Sequence, residues 1–282
     1  MAKSSAKDKS TELDIVELIQ EEVTFCLLGN TPFYCNRVAE KAKRELLLPR
    51  GGRLTAAQKA QNLKHDPEAE FRSSPYLRRD NGPTRIMMKA TAIKGAIGQS
   101  AIDMPTAVAK AQIDRLTYVV NEYIDIWGIP LLNMEVVRMA DQARTPDIRT
   151  RARIFPWATR VTIRYTLPML SDQKVGTLLS ASGMICGIGD FRQQKGKGSN
   201  GLYQIVPEND PRFLRVIAEG GMSAQDAALA DPVCSDPETE DLLVWYQEEV
   251  ARRYRTPAAA VPPAAARAAS NRRGRGNGEA LA

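Results

Sequence analysis

The sequence predicts an α+β protein: an antiparallel sheet with helices packed on it, helical insertions, and a disordered C-terminal tail. Three observations predict this. Residues 159–166 alternate Val161, Ile163 and Tyr165 with Arg160, Thr162 and Arg164, the period of a half-buried antiparallel strand. Val175, Leu178 and Leu179 then repeat with a helical period after Ser171, a good N-cap. An earlier stretch, 90–102, puts Ile93, Ile97 and Ala101 on one helical face.

Taken in order, residues 1–11 are polar and are expected to be disordered. Val23, Phe25 and Leu27 alternate, which predicts a strand over 22–28, and Gly29-Asn30-Thr31-Pro32 predicts a turn. A helix is expected over 36–48, carrying Val38, Ala42 and Leu46 and ended by Pro49-Arg50-Gly51-Gly52. A polar helix follows at 55–64, and Asp80-Asn81-Gly82-Pro83 is a turn. Gly95 and Gly98 weaken the 90–102 helix on their own, so they are expected to permit close packing on the sheet. Residues 103–150 read as an insertion with a strand at 131–137.

After the arginine strand, a helix over 172–182 is expected to end at Gly183, with strands at 185–189 and 202–206. Strand 159–166, helix 172–182 and strand 185–189 make half of a split βαβ, the unit of ferredoxin-like folds. Two such halves fit 12–250 read as one domain. Asp236 or Thr239 starts a last helix bearing Leu242, Leu243, Tyr246 and Val250, and the alanine, proline, arginine and glycine of the tail cannot build a core.

Charge is distributed unevenly. The net charge is +6, and residues 251–282, with seven arginines and one acid, hold all of that excess. From 143 to 201 ten cations face three acids, and from 210 to 250 ten acids face Arg212 and Arg215. A basic middle and a basic tail point to an acidic polymer as partner. The acidic 210–250 stretch is expected to meet the basic middle of a neighbouring subunit. No apolar run is long enough to span a bilayer, so no membrane partner is expected. Cys26, Cys35, Cys186 and Cys234 lack CxxC spacing and read as reduced thiols of a cytoplasmic protein, with neither metal nor cofactor expected.

The stretch Gly183–Tyr203 carries Gly187, Gly189, Gly196, Gly198 and Gly201 among Arg192, Lys195 and Lys197. Glycine lets a backbone take positive φ and approach a ligand, and the cations suit phosphates. Phe191 is a candidate base-stacking residue, with a core anchor as the alternative reading. Arg160 and Arg164 on one strand face, Lys94 on a helix, and Arg272, Arg273 and Arg275 in the tail complete the candidate nucleic-acid contacts. For catalysis the sequence offers little. His65, the single histidine, lies in a polar linker beside Asp66 and Pro67, and no nucleophile motif accompanies it, so a non-enzyme is expected.

Four segments, in order, resemble the RAMP superfamily of ferredoxin-like RNA-binding proteins that build CRISPR effector backbones, in particular a phage-encoded branch. They are Thr31-Pro32-Phe33 with Asn36–Lys43, then Asp66–Tyr76, Ala90–Ala96 with its central Lys94, and the glycine loop. Lys89, Gln193-Gln194 and Lys197 depart from that branch's pattern. The resemblance spans about 25–205 and implies a body that holds a single strand, RNA favoured over DNA, by its backbone, often as a repeated subunit along it, with Lys94, Arg192, Lys195 and Lys197 in contact. Two other classes remain open: a self-assembling structural protein without nucleic acid, and a RAMP-type endoribonuclease served by His65.

Overall fold

The computed structural model describes residues 16–38, 40–47, 64–105, 108–138, 145–195 and 197–255. It is a mixed α/β protein with antiparallel sheets, and it divides after Thr239 into two compact units. The 1–11 segment, the 55–64 helix up to Lys64, Gly196, and the tail with Arg272, Arg273 and Arg275 lie outside the described residues.

The largest sheet joins β1 (Ile19–Gly29), β5 (Thr117–Val119), β9 (Ala158–Leu167) and β10 (Tyr203–Val206) in the order β10-β1-β9-β5. Every neighbouring pair is antiparallel. In β9 the expected alternation holds: Val161, Ile163 and Tyr165 are buried, while Arg160 is exposed. The buried face meets a helical layer. α3 (Thr91–Asp103) buries Ile93, Ile97 and Ala101, and α5 (Asp172–Ile185) buries Val175, Leu178 and Leu179. Ser100 ties the two helices by donating to the Leu178 carbonyl at 3.1 Å. Gly176 of α5 rests on the Phe25 ring of β1. Each large apolar side chain taken out of water here contributes about 1.5–3 kcal/mol.

Several expectations are corrected. Gly95 and Gly98 do not press α3 onto the sheet. A Cβ at Gly95 would meet nothing, and one at Gly98 would meet Lys110 and Asp114 of α4 (Lys110–Leu116). The expected strand at 185–189 is absent. α5 runs through Gly183 to Ile185 because the missing side chain of Gly183 leaves room for Tyr203. The helix then stops at Gly187, whose φ of 68° and N–H bond to the Ser182 carbonyl (3.0 Å) close its last turn. The third piece of that strand–helix–strand unit is therefore β10. Among the described residues the first helix, α1, covers Glu40–Leu47, and Asn36–Val38 lie outside it.

A strand that the sequence reading passed over, β8 (Pro146–Ile154), is central to a second sheet, ordered β2 (Phe33–Tyr34), β8, β7 (Pro130–Arg138). Its Thr150, Ala152 and Ile154 are buried, beside α2 (Pro67–Ser73), where Ser74 Oγ accepts from the Ala152 N–H at 2.8 Å. A third small sheet joins β3 (Tyr76–Leu77), β4 (Ile86–Lys89) and β6 (Tyr123–Asp125). α6 (Pro211–Glu219) covers one end of the large sheet's second face, packing Phe213 and Val216 on Cys26, Leu28, Ala158 and Val206. α7 (Met222–Ala230) is fixed by buried Gln225, whose amide donates to the carbonyls of Ile126, Gly128 and Gly220. α8 runs from Pro237 to Arg255, with Asp236 accepting from the Thr239 N–H at 2.9 Å. Among the described residues no helix is long and apolar enough to cross a membrane.

Candidate nucleic-acid interface

The glycine loop leaves α5 and folds back on the turn after β1. Gly187, Gly189 and Gly201 all take positive φ. Ile188 N–H donates to the Gly201 carbonyl (3.0 Å), Gly201 N–H to the Pro32 carbonyl (2.8 Å), and Asp190 N–H to the Tyr34 carbonyl (3.2 Å). Thr31 joins both sides: its hydroxyl donates to the Ser199 carbonyl at 2.7 Å and accepts from Leu202 N–H at 2.9 Å. A Cβ at Gly198 would strike the Phe191 carbonyl, and one at Gly201 the Ile188 carbonyl. These glycines serve the chain's approach to itself. Gly187 and Gly201 spend their N–H groups inside the protein, so those two amides are not free to meet a ligand.

Three side chains of the loop stand out. Phe191, itself at φ 49°, is 56% exposed, too open for a core anchor. Lys195 and Lys197 are exposed and make no ion pair among the described residues. Arg192 differs, since it donates to Gln194 Oε1 and to the Gly189 carbonyl, both at 3.1 Å, and so braces the loop.

The loop is anchored to β8 through Asp190. Its carboxylate pairs with Arg151 and lies 4.0 Å from Arg149. Arg151 is nearly buried, and burial followed by the neighbouring Arg149 lowers its pKa to about 10, so it remains charged at neutral pH. Tyr34, opposite Arg153 in the β2–β8 register, donates to Glu135 at 3.2 Å, and burial pushes its hydroxyl up to about 12. Arg149 is half exposed and extends the basic surface of the loop. Sequence reading missed this strand. The signal was present as arginine at 149, 151 and 153, alternating with inward Ile148, Thr150 and Ala152.

The other candidates lie elsewhere. Arg160 and Arg164 sit on the second face of the large sheet, and both already have acidic partners. Arg160 pairs with Glu208 at 3.0 Å, and Arg164 pairs with Glu22 at 2.6 Å. Lys94 belongs to the helical layer on the opposite face, so the sheet separates it from both arginines. His65 is not a free linker residue. Its ring nitrogens lie 2.9 Å from Glu70 and 3.0 Å from Asp147, which tie it to α2 and β8. Asp147 is held below the usual carboxylate range, chiefly by Lys64 and also by His65. Within the acidic 210–250 stretch, Asp210 pairs with Arg212, Asp226 with Arg85, and Glu249 with Arg252 and Arg253.

No family model matches the chain, and neither does any curated protein.

Proposed function

We propose that this is a non-catalytic, single-stranded nucleic-acid-binding protein, with RNA favoured, that grips the phosphate backbone and repeats along the strand in the cytoplasm. The observation that carries the reading is the loop Phe191–Lys197. It presents an exposed aromatic ring and two lysines without an ion-pair partner among the described residues, and Asp190 anchors it beside Arg149. Rings stack on bases without regard to sequence, and free cations displace counterions from phosphates. The order β10-β1-β9-β5, with α3 and α5 on one face, supports reading the large sheet as a ferredoxin-like βαββαβ unit of RAMP type. The resemblance of the four segments supports RNA over DNA.

The experiment is sedimentation of the purified protein with its absorbance ratio, before and after nuclease, across a salt series. Co-purified nucleic acid, and affinity that falls steeply with salt, is the expected result. A clean oligomer indifferent to salt and nuclease overturns the reading in favour of a structural assembly. Labelled RNA incubated with wild type and with His65→Ala should stay intact in both; cleavage lost on that substitution would make the protein an endoribonuclease.

A further inference from the structure

β10 pairs with β1 only from Cys26 to Gly29 and then turns away at Pro207. A cleft of ≈ 290 Å3 opens where the strands part. Cys26, Val206 and Pro207 give it an apolar lining, and its polar groups include the side chains of Arg160 and Glu208. The volume lies at the lower end of small-ligand pockets, about 300–1,000 Å3, and suits a single flat heterocycle. Arg160 is the better fixed of the two, while Glu208 stands exposed at the rim. The Arg160 guanidinium lies 5.6 Å from the centre of the Phe213 ring and donates through Nη2 to Glu208 Oε1 at 3.0 Å.

We propose that this cleft reads a guanine base in the bound strand; the inference rests on the nucleic-acid function proposed above. A carboxylate beside a guanidinium offers two acceptor oxygens next to a row of N–H donors. The Watson–Crick edge of guanine is the matching surface, with N1–H and the N2 amine donating side by side and O6 accepting beside them. Adenine and cytosine each offer a single exocyclic amine there, and uracil a lone N–H between two carbonyls. Glu208 is the discriminating residue. It accepts N1–H and N2–H while Arg160 donates to O6, and the apolar lining covers the ring. An Arg–Glu pair that only closed a salt bridge would show no base preference.

The test measures affinity of the full chain for oligouridines that carry one central guanosine, inosine, adenosine or cytidine. The guanosine strand is expected to bind about tenfold more tightly than the adenosine or cytidine strand. Inosine, which lacks the N2 amine, should lose most of that advantage without any change to the protein. In Glu208→Gln, with folding checked by circular dichroism, the guanosine-to-adenosine ratio should fall to near one. Equal affinity for all four strands, or a guanosine preference that survives both inosine and Glu208→Gln, overturns the cleft alone. If no strand binds, the nucleic-acid reading fails and takes this inference with it. Guanosine monophosphate titrated by itself reports the other source of the base: tight binding of the free nucleotide with no preference among strands would overturn strand reading.

Discussion

Gly198 is buried directly beneath the backbone carbonyl of Phe191, with no space for a Cβ between them. Phe191 itself takes a φ of 49°, which a side-chain-bearing residue keeps only when its surroundings impose it. The pair is what turns the exposed ring and the two lysines outward. Gly198→Ala should therefore cost at least about 2 kcal/mol and weaken strand binding as well. Gly95→Ala is the matched control. Its Cβ would meet no atom within 4 Å, and alanine in a helix interior gains about 0.5–1 kcal/mol over glycine. Thermal melts of the two variants should move in opposite directions, and a harmless Gly198→Ala would remove the constraint claimed for the loop.

Lys195 and Lys197 have no acidic partner among the described residues, so removing them breaks no ion pair there. Lys195→Ala/Lys197→Ala should melt within about 0.5 kcal/mol of wild type. Each phosphate contact on a single strand contributes about 0.7 to the slope of log affinity against log salt, so the pair should lower that slope by about 1.4. Arg164→Ala, which removes a cation already engaged by Glu22 at 2.6 Å, should change the slope by less. A slope unaltered in the double variant would place the backbone contacts elsewhere.

The fold was legible where a strong period met a strong terminator. Strand β9 announced itself by Val161, Ile163 and Tyr165, and helix α5 by Ser171, which does accept from the Lys174 N–H. Strand β8 has the same alternation, yet its inward positions include Thr150 and Ala152, which carry little hydrophobic signal, and its arginines read as solvated charge. The supposed strand at 185–189 failed for a different reason. A short apolar run does not distinguish strand from helix end, and what decided it was the distant Tyr203, which fills the space over Gly183 and meets Ser182 Oγ at 2.5 Å. For the site, composition located the loop, but not which cations were free. Arg192 and Lys195 look alike in sequence, and only the folded loop shows that one braces it while the other faces solvent.

Asp190 is the acid that Arg151 meets in a largely buried position. Burial, followed by the neighbouring Arg149, disfavours the guanidinium charge and holds its pKa down at about 10; the Asp190 carboxylate paired with it offsets a cost that persists without it. Asp190→Ala should destabilise the fold by about 1–3 kcal/mol and release the loop from β8. Arg151→Met, which removes the buried charge together with its need for a partner, should be the milder of the two. Hydrogen exchange at residues 187–201 checks the claim. Protection lost there in both variants is expected, with the smaller loss of global stability in Arg151→Met, and protection kept in both would mean that the pair does not anchor the loop.

Asp226 on α7 grips Arg85 with both carboxylate oxygens, Oδ1 to Nε at 2.6 Å and Oδ2 to Nη2 at 2.9 Å. The same guanidinium donates to the Arg78 carbonyl at 2.6 Å, which links α7 to the strands beneath. Exposed ion pairs contribute little as a rule, but a two-point fork on a fixed arginine is the favourable exception. That hydrogen bonding with Arg85 lowers the Asp226 pKa below its ordinary value. A carboxyl that is more acidic folded than unfolded stabilises above its unfolded pKa, about 3.9, and loses that contribution as pH falls through the folded value. Asp226→Asn should therefore lower the melting temperature by a few degrees at neutral pH. The two melting curves should begin to approach below about pH 4 and converge only once pH has fallen through the lower folded value, where wild type protonates the same group. A gap that persists unchanged into acid would assign the effect to the shape of the side chain, and the pairing with Arg85 would then contribute nothing measurable.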